Sequence, residues 1–262
     1  MADMFSKVAA YEKLMGRWSA RLAPLFADFA RVRDDSRILD VGCGTGALVQ
    51  FLAATTQRTA IVGVDPSQPF IEYSRSRFAG SRFSFDVGNA MELPYSSGSF
   101  DQSLSLLVFQ FIPQSQKAAG EMRRVTRPRG TVAACTWGYP GLEMSTIFWE
   151  EATRLDPAVQ TREEKSQRCT RKGQLAELWQ ATGLEAVEET TLEIRMDFSS
   201  FDDYWLPFTN SVGTQGIYVD TLSPAHREAL REGLRSRLLG DRSDGPFLLP
   251  ARALAVRGTV PT

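Results

Sequence analysis

The sequence predicts an α/β fold: a doubly wound, mostly parallel seven-stranded sheet, with an N-terminal helix before it and a helical lid inserted near its end. Three observations predict it. Short apolar runs alternate with segments of helical period between residues 37 and 137, the pattern of βαβ units. A glycine-rich loop, GCGTG at 42–46, joins the first such run to the first crossover helix. Two alternating segments, 185–198 and 247–258, flank a helix-rich stretch and can pair as the last two strands.

Each element has its own warrant. Residues 8–29 place Val8, Tyr11, Met15, Trp18, Leu22, Leu25 and Phe29 three or four apart, one apolar helical stripe, bent or split near Gly16 and Pro24. RILDV (37–41) reads as the first strand, and a helix follows the glycine loop over about 45–56. AIVGVD (60–65) is a buried strand, Ser67 an N-cap and 68–78 a helix. RFSFDV (82–87) and FDQSLSLL (100–107) are the third and fourth strands, a helix covers about 114–126, and GTVAACTW (130–137) is the fifth strand. Parallel strands of this kind are covered on both faces, and right-handed crossovers leave few topologies.

After Trp137 the rhythm changes. GYPG (138–141) reads as a turn, and 145–155 as a helix with Ile147, Phe148, Ala152 and Leu155 inward. KGQLAELWQATG (172–183) is a helix with Leu175, Leu178 and Trp179 on one side and Gly183 as its C-cap. From Phe201 to Gly240 the chain is rich in aromatics, and its last helix is opened by Ser223 and Pro224. The expected organisation is a helical segment at 1–35, a core at 36–140, and a remainder at 141–262 within the same domain. That remainder holds helices, the last two strands and a cap insertion at about 199–244.

The totals restrict the function. The chain has 262 residues, 43% of them hydrophobic, enough for one large core. Lys plus Arg number 30 against 31 Asp plus Glu, so no overall field favours a nucleic acid or an anionic membrane. The densest basic runs, RSR around Arg75 and MRRVTRPR at 122–129, read as exposed helix faces. Cys43, Cys135 and Cys169 stand apart with no metal spacing, which points to a reducing compartment and to neither a disulfide framework nor a metal site. The first residues carry Asp3, Lys7, Glu12 and Lys13, unlike a signal peptide. No window approaches the length of a membrane span. The expected setting is the cytoplasm.

The glycine loop marks a ligand. Between a strand and a helix, Gly42, Gly44 and Gly46 open φ values closed to other residues and let a ligand touch the main chain. The helix that follows offers unpaired N–H groups. Gly42-x-Gly44-x-x-Ala47 also satisfies a dinucleotide pattern, so a nicotinamide cofactor and an oxidoreductase are one reading. Asp65 ends the second strand about 20 residues on, where an acid can accept from ribose hydroxyls; its structural reading is a turn before Pro66.

Two further stretches separate the readings. With ILDVGCGTGAL (38–48), VGVDPS (62–67) and EMRRVTRPRGTVAACTWG (121–138), the segments VGNAMELPY (87–95) and SFDQSLSLLVFQF (99–111) resemble class I S-adenosylmethionine-dependent methyltransferases of the small-molecule type, the methyltransferase type 11-like domain. The resemblance covers about 36–138 and implies a Rossmann-like methyltransferase core at 36–140. It implies that the loop at Gly42, Gly44 and Gly46 passes under the methionine and ribose of S-adenosyl-L-methionine, whose product is S-adenosyl-L-homocysteine. Asp65, with Pro66 and Ser67 after it, would hold the ribose; Asn89, Ala90 and Met91 would sit at the adenine; Leu106 would lie near the sulfur. Asp40 fits the acid that orders the loop or meets the methionine amine through water. The chain departs from the family in three places. Asn89 replaces a frequent Asp, Arg129 stands in a usual Pro-Gly-Gly turn, and Gln110 occupies a place where His is frequent, so no base is assigned there.

Methyl transfer from a sulfonium is an in-line displacement that demands alignment and exclusion of water more than acid–base equipment. His226, the sole histidine, reads as a first-turn or packing residue and is a weak catalytic candidate. Tyr11 and Tyr204 are further weak candidates, Tyr11 lying on the core stripe. Cys43 and Cys135 read as small packing residues. A substrate pocket is expected from Tyr11, Gln110, Trp137, Tyr139, Phe148, Tyr204, Trp205 and Phe208, whose segments should close over the C-terminal edge of the sheet. Trp149, Phe201 and Tyr218 belong to the same aromatic-rich segments; packing of the insertion is the competing reading. Arg17 would meet solvent or the cofactor carboxylate. The expected reaction is methyl transfer to a small organic acceptor, with no metal. Its rivals are a nicotinamide oxidoreductase, a non-catalytic S-adenosylmethionine-binding protein, and methylation of a phospholipid headgroup or a protein side chain.

Overall fold

Arg37–Val41 (β1) buries Ile38, Leu39 and Val41 completely, and consecutive buried residues in a strand require a sheet covered on both faces. A computed structural model of the chain, which describes residues 7–159 and 168–262, supplies both covers. The other strands are Ala60–Asp65 (β2), Phe83–Val87 (β3), Phe100–Leu106 (β4), Thr126–Leu142 (β5), Glu185–Phe198 (β6) and Phe247–Thr259 (β7). They form one seven-stranded sheet in the order β3-β2-β1-β4-β5-β7-β6. The first five pair in parallel, and β7 runs antiparallel to both β5 and β6. β1 lies between β2 and β4, with Ile38 opposite Ile61 on one side and Gln102 on the other. The chain therefore reverses its direction of winding there, which opens a crevice at the strand ends.

Alternate residues of the strands feed two cores. Ile38, Ile61, Leu104 and Ala133 face one layer; Leu39, Val62 and Val132 face the other. The first layer is closed by the N-terminal helices and the insertion. Helical structure runs from Val8–Tyr11 (α1) through a π-type turn at Glu12–Gly16 into Arg17–Phe29 (α2), with Pro24 inside α2 and no break there. Residues 1–6 of the expected N-terminal helical segment lie outside the described residues. Crossover helices Ala47–Thr55 (α3), Gln68–Arg77 (α4) and Ser115–Val125 (α5) follow the expected spans within a few residues.

The second half departs from expectation in detail. GYPG does not end the fifth strand: β5 pairs with β7 at Trp137 and again at Leu142, so residues 138–141 bulge opposite Arg252 alone. Helix Glu143–Leu155 (α6) buries Ile147, Phe148 and Ala152, but Leu155 is 37% exposed, because the helix ends there and turns its last residue outward. Gln174–Ala181 (α7) buries Leu175 and Trp179, and Gly183 follows at φ +79, the left-handed geometry a helix stop needs. Between β6 and β7 lie Phe201–Trp205 (α8), a 3₁₀ turn at Leu206–Asn210, Gly213–Thr221 (α9) and Pro224–Leu239 (α10). Ser223 caps α10 by accepting the His226 N–H at 3.2 Å. Ser67 stands at the N-cap position of α4, yet its hydroxyl makes no cap bond. Arg75 and Arg77 are exposed as expected, whereas Arg124 is half-buried, bonding Glu121 and the Leu93 and Tyr95 carbonyls. Among the described residues no helix is long and apolar enough to cross a membrane.

Candidate functional site

The loop after β1 is shaped by what lies on either side of it. The Gly42 and Cys43 N–H groups both donate to the Val64 carbonyl, at 2.7 and 3.1 Å, which turns the chain over the end of β2. Gly42 has φ +74, and a Cβ there would meet the Val108 side chain at 2.5 Å. Gly44, at φ +53, has the opposite surroundings: a Cβ would meet nothing within 4 Å. Its bare face is turned to open space, where a ligand can lie against the backbone.

Asp65 ties this loop to the next. Its carboxylate accepts the Gly44 N–H at 3.0 Å and the Ser67 N–H at 2.8 Å. The turn-forming role and a place in the wall of a cavity thus coincide in one side chain. Burial raises its pKa above the ordinary carboxylate value, against the two N–H groups that lower it. The Asp65 carbonyl in turn accepts the Gly88 N–H at 3.1 Å, bringing in the loop after β3. There the Asn89 amide oxygen accepts the Met91 N–H at 2.9 Å and closes a local turn. One of the two lone pairs of that oxygen is therefore already engaged within the chain.

These loops enclose a cavity of about 270 Å³. Of the residues singled out in the sequence, Gly42, Gly44, Asp65, Pro66, Ser67, Asn89, Ala90, Met91 and Leu106 line it together. Phe70, Val108, Ile112 and Pro113 also line it and were not foreseen; they come from the face of α4 and from the turn after β4, where Leu107 at φ +64 redirects the chain. Asp40 and Gly46 do not line it. Gly46 packs against Phe78. Asp40 is 1% exposed behind the loop, and neither carboxylate oxygen has a hydrogen-bond partner among the described residues. Burial, with Asp65 nearby, pushes its pKa up to about 8.

A second cavity of about 160 Å³ adjoins the first, and Tyr11, Leu107 and Phe111 line both. Tyr11 rests on Phe70 with ring centroids 5.3 Å apart, and burial pushes its phenol pKa up to about 12. Of the predicted pocket residues, Tyr11, Gln110, Trp137 and Tyr139 line this second cavity. Phe148, Tyr204, Trp205 and Phe208 do not: all are buried in the core, where the Phe148 and Phe208 rings meet at a tilt with centroids 4.9 Å apart and the Tyr204 hydroxyl donates to the Met144 carbonyl at 2.9 Å. The aromatic insertion packs more than it lines. His226 is exposed at the start of α10 and lines neither cavity.

The sequence reading missed the far wall of the second cavity. Trp149, Ser145 and Thr146 come from α6, Thr170 from the segment beside the 138–141 bulge, and Gly213 to Gln215 from the start of α9. Phe148 and Trp149 are adjacent on α6, so helical geometry turns them about 100° apart, and composition cannot say which one faces the cavity. Thr170 is held there by its carbonyl, which accepts the Tyr139 N–H at 2.7 Å, and by the Cys169 carbonyl, which accepts the Thr136 hydroxyl at 2.7 Å. Arg17 pairs with Asp203 at 3.0 Å and lies over Trp18, away from both cavities. Cys43, Cys135 and Cys169 are free and buried, with burial raising each thiol pKa. Among the described residues no cluster of His, Cys, Asp and Glu is placed to hold a metal ion.

Residues 39–134 match a family model described as a methyltransferase domain. An uncharacterised protein of Mycobacterium bovis is 32% identical over 133 residues, 49% of this chain and 48% of that one. The methyltransferase GfsG of Streptomyces halstedii is 37% identical over 101 residues, 37% of this chain and 36% of its own. The chain thus matches about half the length, or less, of these curated relatives. Among solved structures, phosphoethanolamine N-methyltransferase 2 of Haemonchus contortus, in complex with phosphomonomethylethanolamine and S-adenosylhomocysteine, superposes with a TM-score of 0.60 over 97% of this chain and 57% of that one. At 19% identity that likeness establishes the shared fold.

Proposed function

We propose that residues 39–134, which match a methyltransferase-domain model, form a class I, S-adenosylmethionine-dependent methyltransferase domain, and that the chain methylates a small organic molecule held in the second cavity. The observation that carries this reading is the junction of the cavities. One presents the bare backbone of Gly44 beside Asp65; the other is walled by aromatics; Tyr11, Leu107 and Phe111 form their common boundary.

The residues of the first cavity fit the cofactor. Gly44 offers main chain without a side chain, Asp65 retains acceptor lone pairs for ribose hydroxyls, and Asn89 to Met91 would border the adenine. Asp40, buried behind the loop without a partner among the described residues and held mostly protonated at neutral pH, would ionise only as a positive group came near it. S-adenosylmethionine supplies a methyl group on a sulfonium, which leaves as neutral S-adenosylhomocysteine once the acceptor has taken the methyl. Tyr11 and Phe111 would set their π faces toward that positive charge and keep water from the reacting atoms.

The second cavity indicates what the chain does not contribute. Among the described residues, no Asp, Glu, His, Lys or Arg lines it, and Tyr11 stays a neutral phenol at ordinary pH. None of these described lining residues is placed to take a proton, so what they contribute to the rate is alignment of the two cavities. Turnover with methyl-labelled S-adenosylmethionine over a panel of small acceptors tests this. The reading expects label in at least one compound and its loss in Asp65→Ala; label retained at the wild-type rate in that variant would refute the assigned cavity.

A further inference from the structure

Among the described residues that line the second cavity, Gln110 and Thr170 are the two with a buried side-chain polar atom that has no hydrogen-bond partner. The cavity's other amide and hydroxyl groups on α6 and α9 are tied down. The Gln215 amide N–H donates to Ser145 Oγ at 2.8 Å, the Thr214 hydroxyl donates to Gln215 Oε1 at 3.1 Å, and the Thr146 hydroxyl donates to the Leu142 carbonyl at 3.3 Å. Gln110 is held differently. Its Nε2 donates to the Leu107 carbonyl at 3.1 Å, which fixes the amide's orientation, and its Oε1 is buried with no partner. The Thr170 Oγ1 is likewise buried and unpartnered, on a residue only 7% exposed. A buried polar atom without a partner is costly: Gln110 Oε1 calls for a donor, and the Thr170 hydroxyl can accept from or donate to the same ligand group.

The rest of the cavity constrains that ligand. Its walls include the rings of Tyr11, Trp137, Tyr139 and Trp149, with no charged side chain among the described lining residues. A charged ligand would enter without a counter-ion, whereas a planar ring finds stacking partners. At about 160 Å³, the cavity is close to the roughly 150 Å³ that encloses one benzene ring.

We propose that the methyl acceptor is an uncharged, single-ring aromatic compound bearing an O–H or N–H donor, selected by Gln110 Oε1 and Thr170 Oγ1. This rests on the methyltransferase reading above. The acceptor's oxygen or nitrogen lone pair forms the bond to the methyl carbon, the sulfur–carbon bond breaks, and its electron pair stays on sulfur. The acceptor binds neutral, and its displaced proton passes to water once the oxygen or nitrogen has taken the methyl. Gln110 accepts a hydrogen bond but takes no proton.

The test compares phenols and anilines of one ring with ring compounds lacking a donor, with benzoates and protonated alkylamines, and with two-ring analogues. Wild type, Gln110→Met, Gln110→Glu and Thr170→Val are assayed by labelled methyl transfer and by competition. S-adenosylhomocysteine affinity is measured for each by calorimetry. The expected result is turnover of single-ring phenols or anilines, the two arms deciding between oxygen and nitrogen. Gln110→Met should then raise KM at least tenfold with little change in kcat, and Thr170→Val should raise it severalfold. Gln110→Glu should shift binding toward protonated amines, a change that a merely structural role would not produce. S-adenosylhomocysteine affinity should stay within about twofold throughout. Preference for charged, aliphatic or two-ring acceptors, no turnover of any ring compound, or indifference to both Gln110 variants overturns the proposal while normal S-adenosylhomocysteine binding leaves the parent reading standing. If wild type does not bind S-adenosylhomocysteine, the parent reading fails first and takes this one with it.

Discussion

Asp65 and Gly44, 21 positions apart, are joined by a 3.0 Å hydrogen bond from the glycine N–H to the aspartate carboxylate. The same carboxylate holds the Ser67 N–H, so one side chain sets the spacing of two loops that wall the first cavity. Asp65→Ala removes both bonds and the acceptor that faces the cavity. S-adenosylhomocysteine affinity should fall at least tenfold, about 1.4 kcal/mol, with Asp65→Asn intermediate because its amide oxygen keeps one acceptor. Calorimetric titration of the three proteins is the check.

Asp40 makes stability depend on pH. Its carboxyl is raised to about 8 by burial, against about 3.9 in an unfolded chain. Between those values the folded state holds a proton that the unfolded state has released, so stability falls as pH rises, by at most about 1.4 kcal/mol per unit. Below the unfolded value the penalty is absent, and above about 8 it is constant. Asp40→Asn, neutral at every pH, should therefore gain on wild type between pH 5 and pH 8. Thermal unfolding at both pH values is decisive; an equal difference at the two would remove the burial account of Asp40.

Phe148 and Trp149 are neighbours with different duties. Phe148 is fully buried against Phe208, while Trp149 lines the second cavity. Phe148→Leu should lower stability by about 1–3 kcal/mol and leave KM for the acceptor unchanged; Trp149→Leu should raise that KM severalfold. Tyr204→Phe, which removes the bond to Met144, should cost about 1 kcal/mol of stability and alter neither kcat nor KM. Denaturant melts run beside steady-state kinetics separate these outcomes, and a large loss of kcat in Tyr204→Phe would restore that residue as a catalytic candidate.

How much of this was legible in the sequence depends on what carries the signal. The parallel half was readable because buried strands leave unbroken apolar runs and because Gly42 and Gly44 advertise left-handed backbone. Asp65, Asn89 and Leu106 follow strand ends, where open sheets gather ligands, and they do meet in one cavity. The aromatic half was not readable in the same way. Tyr204 and Phe208 have the composition of pocket residues, yet the insertion uses them to cover the sheet. Thr170 and Gln215 reach the second cavity through tertiary contacts that no local period encodes.

Arg129 records a departure from the family pattern as backbone strain. It sits at φ +61 where its N–H donates to the Val260 carbonyl at 2.9 Å. The left-handed conformation costs a non-glycine residue roughly 1–2 kcal/mol, and glycine gives back roughly 0.4–1 kcal/mol through its freer unfolded chain. Arg129→Gly should thus stabilise by about 0.5–1 kcal/mol and raise Tm by about 1–3 °C. A drop in Tm would mean that the arginine side chain contributes more than its backbone costs.

The cavity beside Gly44 and Asp65 is the claim on which the rest stands, and titration of the wild-type protein with S-adenosylhomocysteine, with NADH as the competitor, tests it most directly. The account predicts one site with a Kd of about 1–10 μM, about −7 to −8 kcal/mol, undisturbed by NADH. No heat of binding at millimolar nucleoside, or displacement by NADH at lower concentration, would contradict it.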